Sequence, residues 1–232
     1  LDQSEEKLKQ AEKKLNSVMD SVYHKEIPTP ENLSGSTITK LEDLAEKITD
    51  GSHNPPMKQK NGKLMLSAIN IENDFLNIEA NVRYIKEEDF NKELNRSGVK
   101  NGDVLLTAVG TIGRTLVVKE FTEFVLQRSV TLIRPKDTEI SQYLSYYLRS
   151  PYMQRYFLEN AKGTAQKGIY LSTIRKLEVV IPERSKMRAI IEKINNVRNA
   201  TTNSLKHIES LQKNLQIERQ SILKKAFEGK LI

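Results

Sequence analysis

An α+β fold, with one mixed globular domain flanked by long coiled-coil helices, follows from three observations. Glu183 to Glu228 contains neither Gly nor Pro. The stretch before Pro28 carries apolar residues at helical spacing. Between them, short runs of Val, Ile, Leu and Thr alternate with turn residues and two helical patterns. A chain of 232 residues has room for one compact domain with additional elements, not for two large ones.

In chain order, Leu8, Ala11, Leu15, Val18 and Val22 step by three and four, which predicts a heptad helix over residues 1–27. A helix this short exposes its stripe unless it packs on a partner. A mixed domain over 38–182 follows. Leu64–Ile71, Asp103–Val109, Leu116–Lys119, Val125–Arg134 and Leu177–Ile181 read as strands bounded by Gly, Asn or Pro. Glu139–Ser150 and Pro151–Ala161 read as helices, with Pro151 suited to a first turn. The final helix, 183–232, spans ~69 Å over its Gly- and Pro-free 46 residues. Its seam steps by seven through Met187, Ile194, Thr201, Ile208, Leu215 and Ile222. The polar run from Asn195 to Ser204 weakens that seam and marks a kink or a polar partner contact. Leu8, Leu15, Val22, Ile194, Ile208, Leu215 and Ile222 are the expected helix-interface positions.

Composition narrows the function. Lys and Arg outnumber Asp and Glu by 37 to 30, and the sequence pI is near 9.3, a lean toward a polyanionic partner. The excess is local: residues 141–182 carry six basic and two acidic side chains, and 183–232 carry eleven and five. The absence of cysteine removes a disulfide scaffold, a thiolate metal site and a cysteine nucleophile together. No apolar run reaches the length of a membrane span, so the chain reads as soluble, and the lack of cysteine is compatible with the reducing cytosol, where a cytoplasmic location is expected. It opens on Leu1, directly in a helical pattern, as a trimmed or partial chain would.

Among the motifs, Asn54-Pro55-Pro56-Met57 superficially resembles the Asn-Pro-Pro-aromatic signature of adenine-N6 methyltransferases. Met replaces the stacking aromatic, and no glycine-rich strand-to-helix turn accompanies it, so a rigid turn is the better reading. Gly110-Thr111-Ile112-Gly113-Arg114 lacks the Lys and spacing of a phosphate loop and fits a tight turn between strands. His24, His53 and His207 are scattered and point to no metal; no cofactor is expected. Asp50 to Asn54 is a polar loop after a short helix. Ala161 to Tyr170 carries the most information: two glycines frame Lys162, Thr164, Gln166 and Lys167 beside Tyr170. Lysine meets phosphate or guanine, glutamine reads adenine, and glycine permits close backbone approach.

Taken in order, Leu41–Ala45 leading to Asp50-Gly-Ser-His53, Gly102–Leu105 with Gly110–Gly113, Gly163–Gly168, Leu177–Pro182 and Arg219–Leu231 resemble the specificity (S) subunit of type I restriction-modification enzymes. The resemblance implies a non-catalytic target recognition domain that reads double-stranded DNA at a bipartite site. It also implies long helices that set spacing and bind methyltransferase (M) subunits, and through that complex the restriction (R) subunit. Specificity subunits usually carry two recognition domains, so this chain is expected to be a half-length subunit that dimerises or the second half of a longer one. The helix end at 16–27 recurs at 220–231 with its aromatic and Ser aligned. The expected DNA face comprises Ser52, His53, Asn54, Lys58, Lys60, Lys63, Arg114, Arg128, Lys162, Thr164, Gln166, Lys167 and Tyr170. A coiled-coil scaffold with a protein-binding α+β domain is the alternative; it has no need of the Gly-framed Lys and Gln loop.

Overall fold

The computed structural model of the chain describes residues 2–33, 35–79, 81–119, 123–164 and 166–228. They divide into two compact units, a helical one made of residues 1–26 and 192–232 and a mixed one made of 27–191.

The helical unit contains α1 (Asp2–Glu26) and most of α7 (Arg184–Phe227). Glu26 in the last turn of α1 pairs with Lys193 in the third turn of α7 at 2.6 Å. From there burial continues along α7 through Ile194, Thr201 and Ile208, while Leu8, Leu15 and Val22 of α1 are half-buried. A covered stripe that starts at the end of one helix and runs up the other makes the two antiparallel. Beyond Ile208 the stripe opens: Leu215 is half-buried, and Leu211, Ile217, Ile222, Leu223 and Phe227 are exposed. The two matching helix ends therefore differ in surroundings, with Tyr23 5% exposed and its counterpart Phe227 90% exposed. Helical hydrogen bonding runs unbroken through the Asn195–Ser204 stretch, where Thr201 is buried in the seam. Residues 229–231 of the repeated end lie outside the described residues.

In the mixed unit, β1 (Thr37–Lys40) pairs antiparallel with β9 (Glu178–Ile181). A four-stranded antiparallel sheet has the order β2 (Ala45–Asp50), β8 (Val130–Pro135), β5 (Val104–Thr107), β6 (Thr115–Val117). A second sheet places β3 (Lys63–Leu66) between β4 (Arg83–Ile85), antiparallel, and β7 (Phe124–Leu126), parallel. Leu66, Ile71, Val82, Val99, Leu105, Leu116, Phe124, Leu126, Val130 and Leu132 belong to one apolar cluster, and Met65, Ile85, Phe90 and Val125 form a smaller one. Helices α2 (Leu41–Leu44), α3 (Glu87–Ser97), α4 (Ser141–Arg149), α5 (Pro151–Asn160) and α6 (Leu171–Arg175) complete the unit.

Local chemistry accounts for these elements. Helix α3 has Glu87, Glu88 and Asp89 in its first turn and Arg96 in its last, both favourable to the helix dipole. Ser150 caps α5, its hydroxyl accepting from the Met153 N–H, and Pro151 occupies the first turn as expected. Three fully buried tyrosines of α4 anchor the layer. The Tyr143 hydroxyl donates to the Val180 carbonyl at 2.6 Å and that of Tyr147 to the Glu178 carbonyl at 3.0 Å, fastening α4 to β9. Burial pushes both phenols well above the ordinary tyrosine range. Arg134 on β8 grips Asp103, 1% exposed, through two 2.8 Å bonds, so the charges of this buried pair satisfy one another.

Three expectations need correction. The run Leu64–Ile71 is a strand only to Leu66 and then a short 3-10 turn, because the Asn70 side chain accepts from the Ser67 N–H at 3.0 Å and competes with the ladder. Val125–Arg134 is two strands, since Gln127 and Val130 close a turn between β7 and β8. The loop at Asp50 follows a strand rather than a short helix: α2 ends at Leu44, and β2 intervenes, paired with β8.

Candidate nucleic-acid interface

Four loops from distant parts of the chain are joined edge to edge by backbone hydrogen bonds. The Arg128 N–H donates to the Ser52 carbonyl at 2.9 Å, tying the segment after β2 to the turn between β7 and β8. Ala108 and Val109 N–H groups both donate to the Ser129 carbonyl, adding the β5–β6 connection. The Gly110 N–H then donates to the Lys167 carbonyl at 3.2 Å, adding the loop after α5.

Each loop is shaped by its own residues. Lys162 and Gly168 exchange two backbone bonds, at 2.8 and 2.9 Å, and so close the loop at its base. Gly163, at φ +112°, sits where a Cβ would come within 2.4 Å of the Gln166 carbonyl oxygen, so only glycine permits so tight a return. The resulting tip exposes Lys162, Thr164, Gln166 and Lys167. The β5–β6 connection is a tight turn, as the Gly110–Gly113 spacing predicts. Thr107 organises it by accepting from the Arg114 N–H on its hydroxyl oxygen and donating that hydroxyl to the Thr111 carbonyl.

Between these loops lies a recess of about 670 Å³. Arg114, Arg128 and Gln166, singled out from three separate stretches of sequence, all line it. Lys162, Thr164 and Lys167 stand on the loop that supplies Gln166. Tyr170 is exposed at the start of α6, next to Ile169, whose N–H donates to the Ala108 carbonyl. The remaining expected residues are placed differently. Ser52 is 4% exposed, and its hydroxyl donates to Glu93 at 2.7 Å, so it turns inward. Beside it His53 binds the Asp50 carboxylate at 2.5 Å, with Arg96 on the same carboxylate at 2.8 Å; Asn54 is exposed. Burial raises the Asp50 carboxyl, but hydrogen bonds from Arg96 and His53 outweigh it and hold the group below its ordinary range. Lys58, Lys60 and Lys63 do not line the recess. Lys58 instead donates to Asn81, and Lys63 pairs with Glu123 at 3.1 Å over the Phe90 ring.

The recess also contains residues that the sequence reading passed over: Ser67, Glu72, Thr111, Gln127 and Ser129. A signal existed for Gln127 and Ser129, a polar triplet with Arg128 interrupting an apolar run. Glu72 sits in a polar stretch without local pattern. Among the described residues no group of His, Asp and Glu has the arrangement of a metal site, and no helix is long and apolar enough to cross a membrane.

The chain belongs to the type I restriction modification DNA specificity domain family, whose match covers residues 34–216. Within the family it is similar to the EcoBI type I restriction enzyme specificity subunit of Escherichia coli, with 25% identity over 203 residues, or 87% of this chain and 42% of that protein. Two solved structures share its fold. One is a chain of a type I restriction-modification system solved for its assembly and conformational transition (TM-score 0.74, 17% identity). The other is the HsdS subunit of Thermoanaerobacter tengcongensis (TM-score 0.64, 18% identity). Each match covers 99% of this chain and 55% of the other, so the chain spans about half the length of its relatives.

Proposed function

We propose that the chain is the non-catalytic DNA-recognition part of a type I restriction-modification enzyme, with its target recognition domain in residues 38–182. The observation that carries this reading is the convergence of Arg114, Arg128 and Gln166 on one recess, with the exposed Lys162 and Lys167 beside it. Forked guanidinium and amide groups suit base edges, and flexible ammonium groups suit phosphates. His53, Asn54 and Tyr170 extend this face, and Lys58, Lys60 and Lys63 meet the duplex backbone further along. The family membership favours DNA over the protein partner of a scaffold.

The α7 seam beyond Ile208, with Leu215 and Ile222, receives the methyltransferase subunits, which in turn bring the restriction subunit. Long exposed apolar stripes of this kind mark partner surfaces. Two recognition domains held apart by the helices read a bipartite site with an unread gap. A symmetric pair of copies reads an interrupted palindrome, and a two-domain subunit reads two different half-sites.

The test is salt-dependent binding of the full chain, assembled with methyltransferase subunits, to a random-core duplex library, followed by methylation mapping. Enrichment of one bipartite sequence and a steep linear fall of log affinity with log salt support the reading. Binding that is indifferent to salt and sequence overturns it.

A further inference from the structure

The recess that gathers the basic and amide groups also contains a carboxylate. Glu72 pairs with Arg114 at 2.8 Å, both side chains half-buried, and both line the cavity with Arg128, Gln127 and Gln166. A carboxylate is out of place on a surface that only gathers phosphates, since it repels them and offsets the guanidinium beside it.

Glu72 is also held with unusual care. Its loop is fastened to Arg114 and Thr115 by a run of consecutive contacts. Glu72 takes Arg114, the Asn73 side chain accepts from the Thr115 N–H at 3.2 Å, and the Asp74 N–H donates to the Thr115 carbonyl. Asp74 adopts φ +77°, a left-handed conformation that costs a non-glycine residue energy. The buried Arg149 secures it there with two 2.8 Å bonds to the carboxylate while also donating to the Thr115 hydroxyl and carbonyl oxygens. On the other flank, Asn70 and Asn77 exchange bonds that close the loop. The effect is to fix the position of an acceptor beside a donor at the edge of the recess.

We propose that Glu72 is a specificity-determining residue that, together with Arg114, reads one G·C base pair; the proposal rests on the DNA-recognition reading above. In the major groove guanine offers the acceptors O6 and N7, and the paired cytosine offers the N4 amino donor beside them. An Arg–Glu pair presents donors next to an acceptor, the complementary order. Guanidinium has five N–H groups, so Arg114 keeps Glu72 while donating to guanine. Glutamate accepts from cytosine N4, whereas A·T in the same place offers an amino group where Arg114 expects an acceptor. The carboxylate therefore excludes a phosphate from this position and selects a base.

The experiment is selection and sequencing of a random-core duplex library by the full chain, wild type and Glu72→Ala, with Glu72→Gln as a shape-preserving second variant and thermal melting as a folding control. The expected result is relaxation of the consensus at a single G·C position, with affinity for the wild-type consensus reduced roughly 5- to 150-fold. A duplex whose cytosine at that position is replaced by 2-pyrimidinone, which lacks the 4-amino group, should weaken wild-type binding to a similar degree and Glu72→Ala binding no further. An unchanged consensus with uniformly higher affinity for all duplexes would mean that Glu72 only repels phosphate, and it overturns the proposal while leaving DNA recognition intact. Changes at many positions, or 2-pyrimidinone acting equally on both proteins, also overturn it. Enrichment of no sequence by the wild type defeats the DNA-recognition reading, and the proposal with it.

Discussion

Replacing Arg149 with Met should cost the mixed unit about 3 kcal/mol and release the loop that carries Glu72. Arg149 is 8% exposed, and its guanidinium donates to both Asp74 carboxylate oxygens, to the Thr115 hydroxyl and carbonyl oxygens and to the Ser145 hydroxyl. It also lies 5.6 Å from the centre of the Tyr146 ring. Removing one member of a buried pair costs ~3–5 kcal/mol, because the other members lose their partner without regaining water. The Asp74 side chain is 29% exposed and recovers some hydration, which places the loss near the lower end. Methionine fills the stem volume, so the cavity contribution is small. At roughly 2–4 °C per kcal/mol for a domain of this size, calorimetry should show a fall in Tm of about 6–12 °C. In the Arg149→Met background, Asp74→Gly should cost less than in the wild type, since glycine adopts φ +77° freely and the pair with Arg149 is already gone. A variant that melts within about 2 °C of the wild type, or strictly additive effects of the two changes, would refute the reasoning.

Three further outcomes follow from other parts of the molecule. Lys167→Ala in the assembled complex should weaken binding to all duplexes alike and reduce the salt slope by about one, read by anisotropy titrations; an unchanged slope removes Lys167 from the phosphate contacts. Ile208→Asp places a charge in the buried seam and should free α1, detected as faster proteolysis of residues 2–26 or a changed molar mass, with the mixed unit still folded. Asp50, held below its unfolded value of ~3.9 by Arg96 and His53, adds stability that is fully present above about pH 4 and is lost as pH falls through its lower folded value. The gap in urea stability between the wild type and Asp50→Asn should therefore be widest near pH 7 and narrow toward pH 3, and a gap independent of pH would contradict the assignment.

Elements whose identity is local were legible in the sequence. The two long helices announce themselves by an apolar period sustained without Gly or Pro, and the break between α4 and α5 by Ser150 and Pro151, whose backbone preferences act within one turn. The Gly110–Gly113 turn is legible for the same reason, with both glycines at positive φ. The Gly-framed loop at 162–168 and its exposed side chains were also visible, because the constraint at Gly163 is made by a residue three places away.

Tertiary structure decided what local pattern cannot express. Strand β1 is four residues long, too short for an alternation to register, and becomes a strand because β9 pairs with it from 144 residues away. Helix α3 presents mainly polar residues with only Phe90 and Leu94 turned to the small core, a stripe too sparse to detect. The recess joins residues 67–72, 109–114, 127–129 and 166, brought together by backbone bonds between loops, while Ser52 is turned inward by Glu93. Glu72 became a candidate only when Arg149, 75 residues from Asp74, fixed its loop against Thr115. Periodicity encodes which face of an element is apolar; which loops meet at the ends of those elements is set by strand order and hydrogen bonds between distant segments.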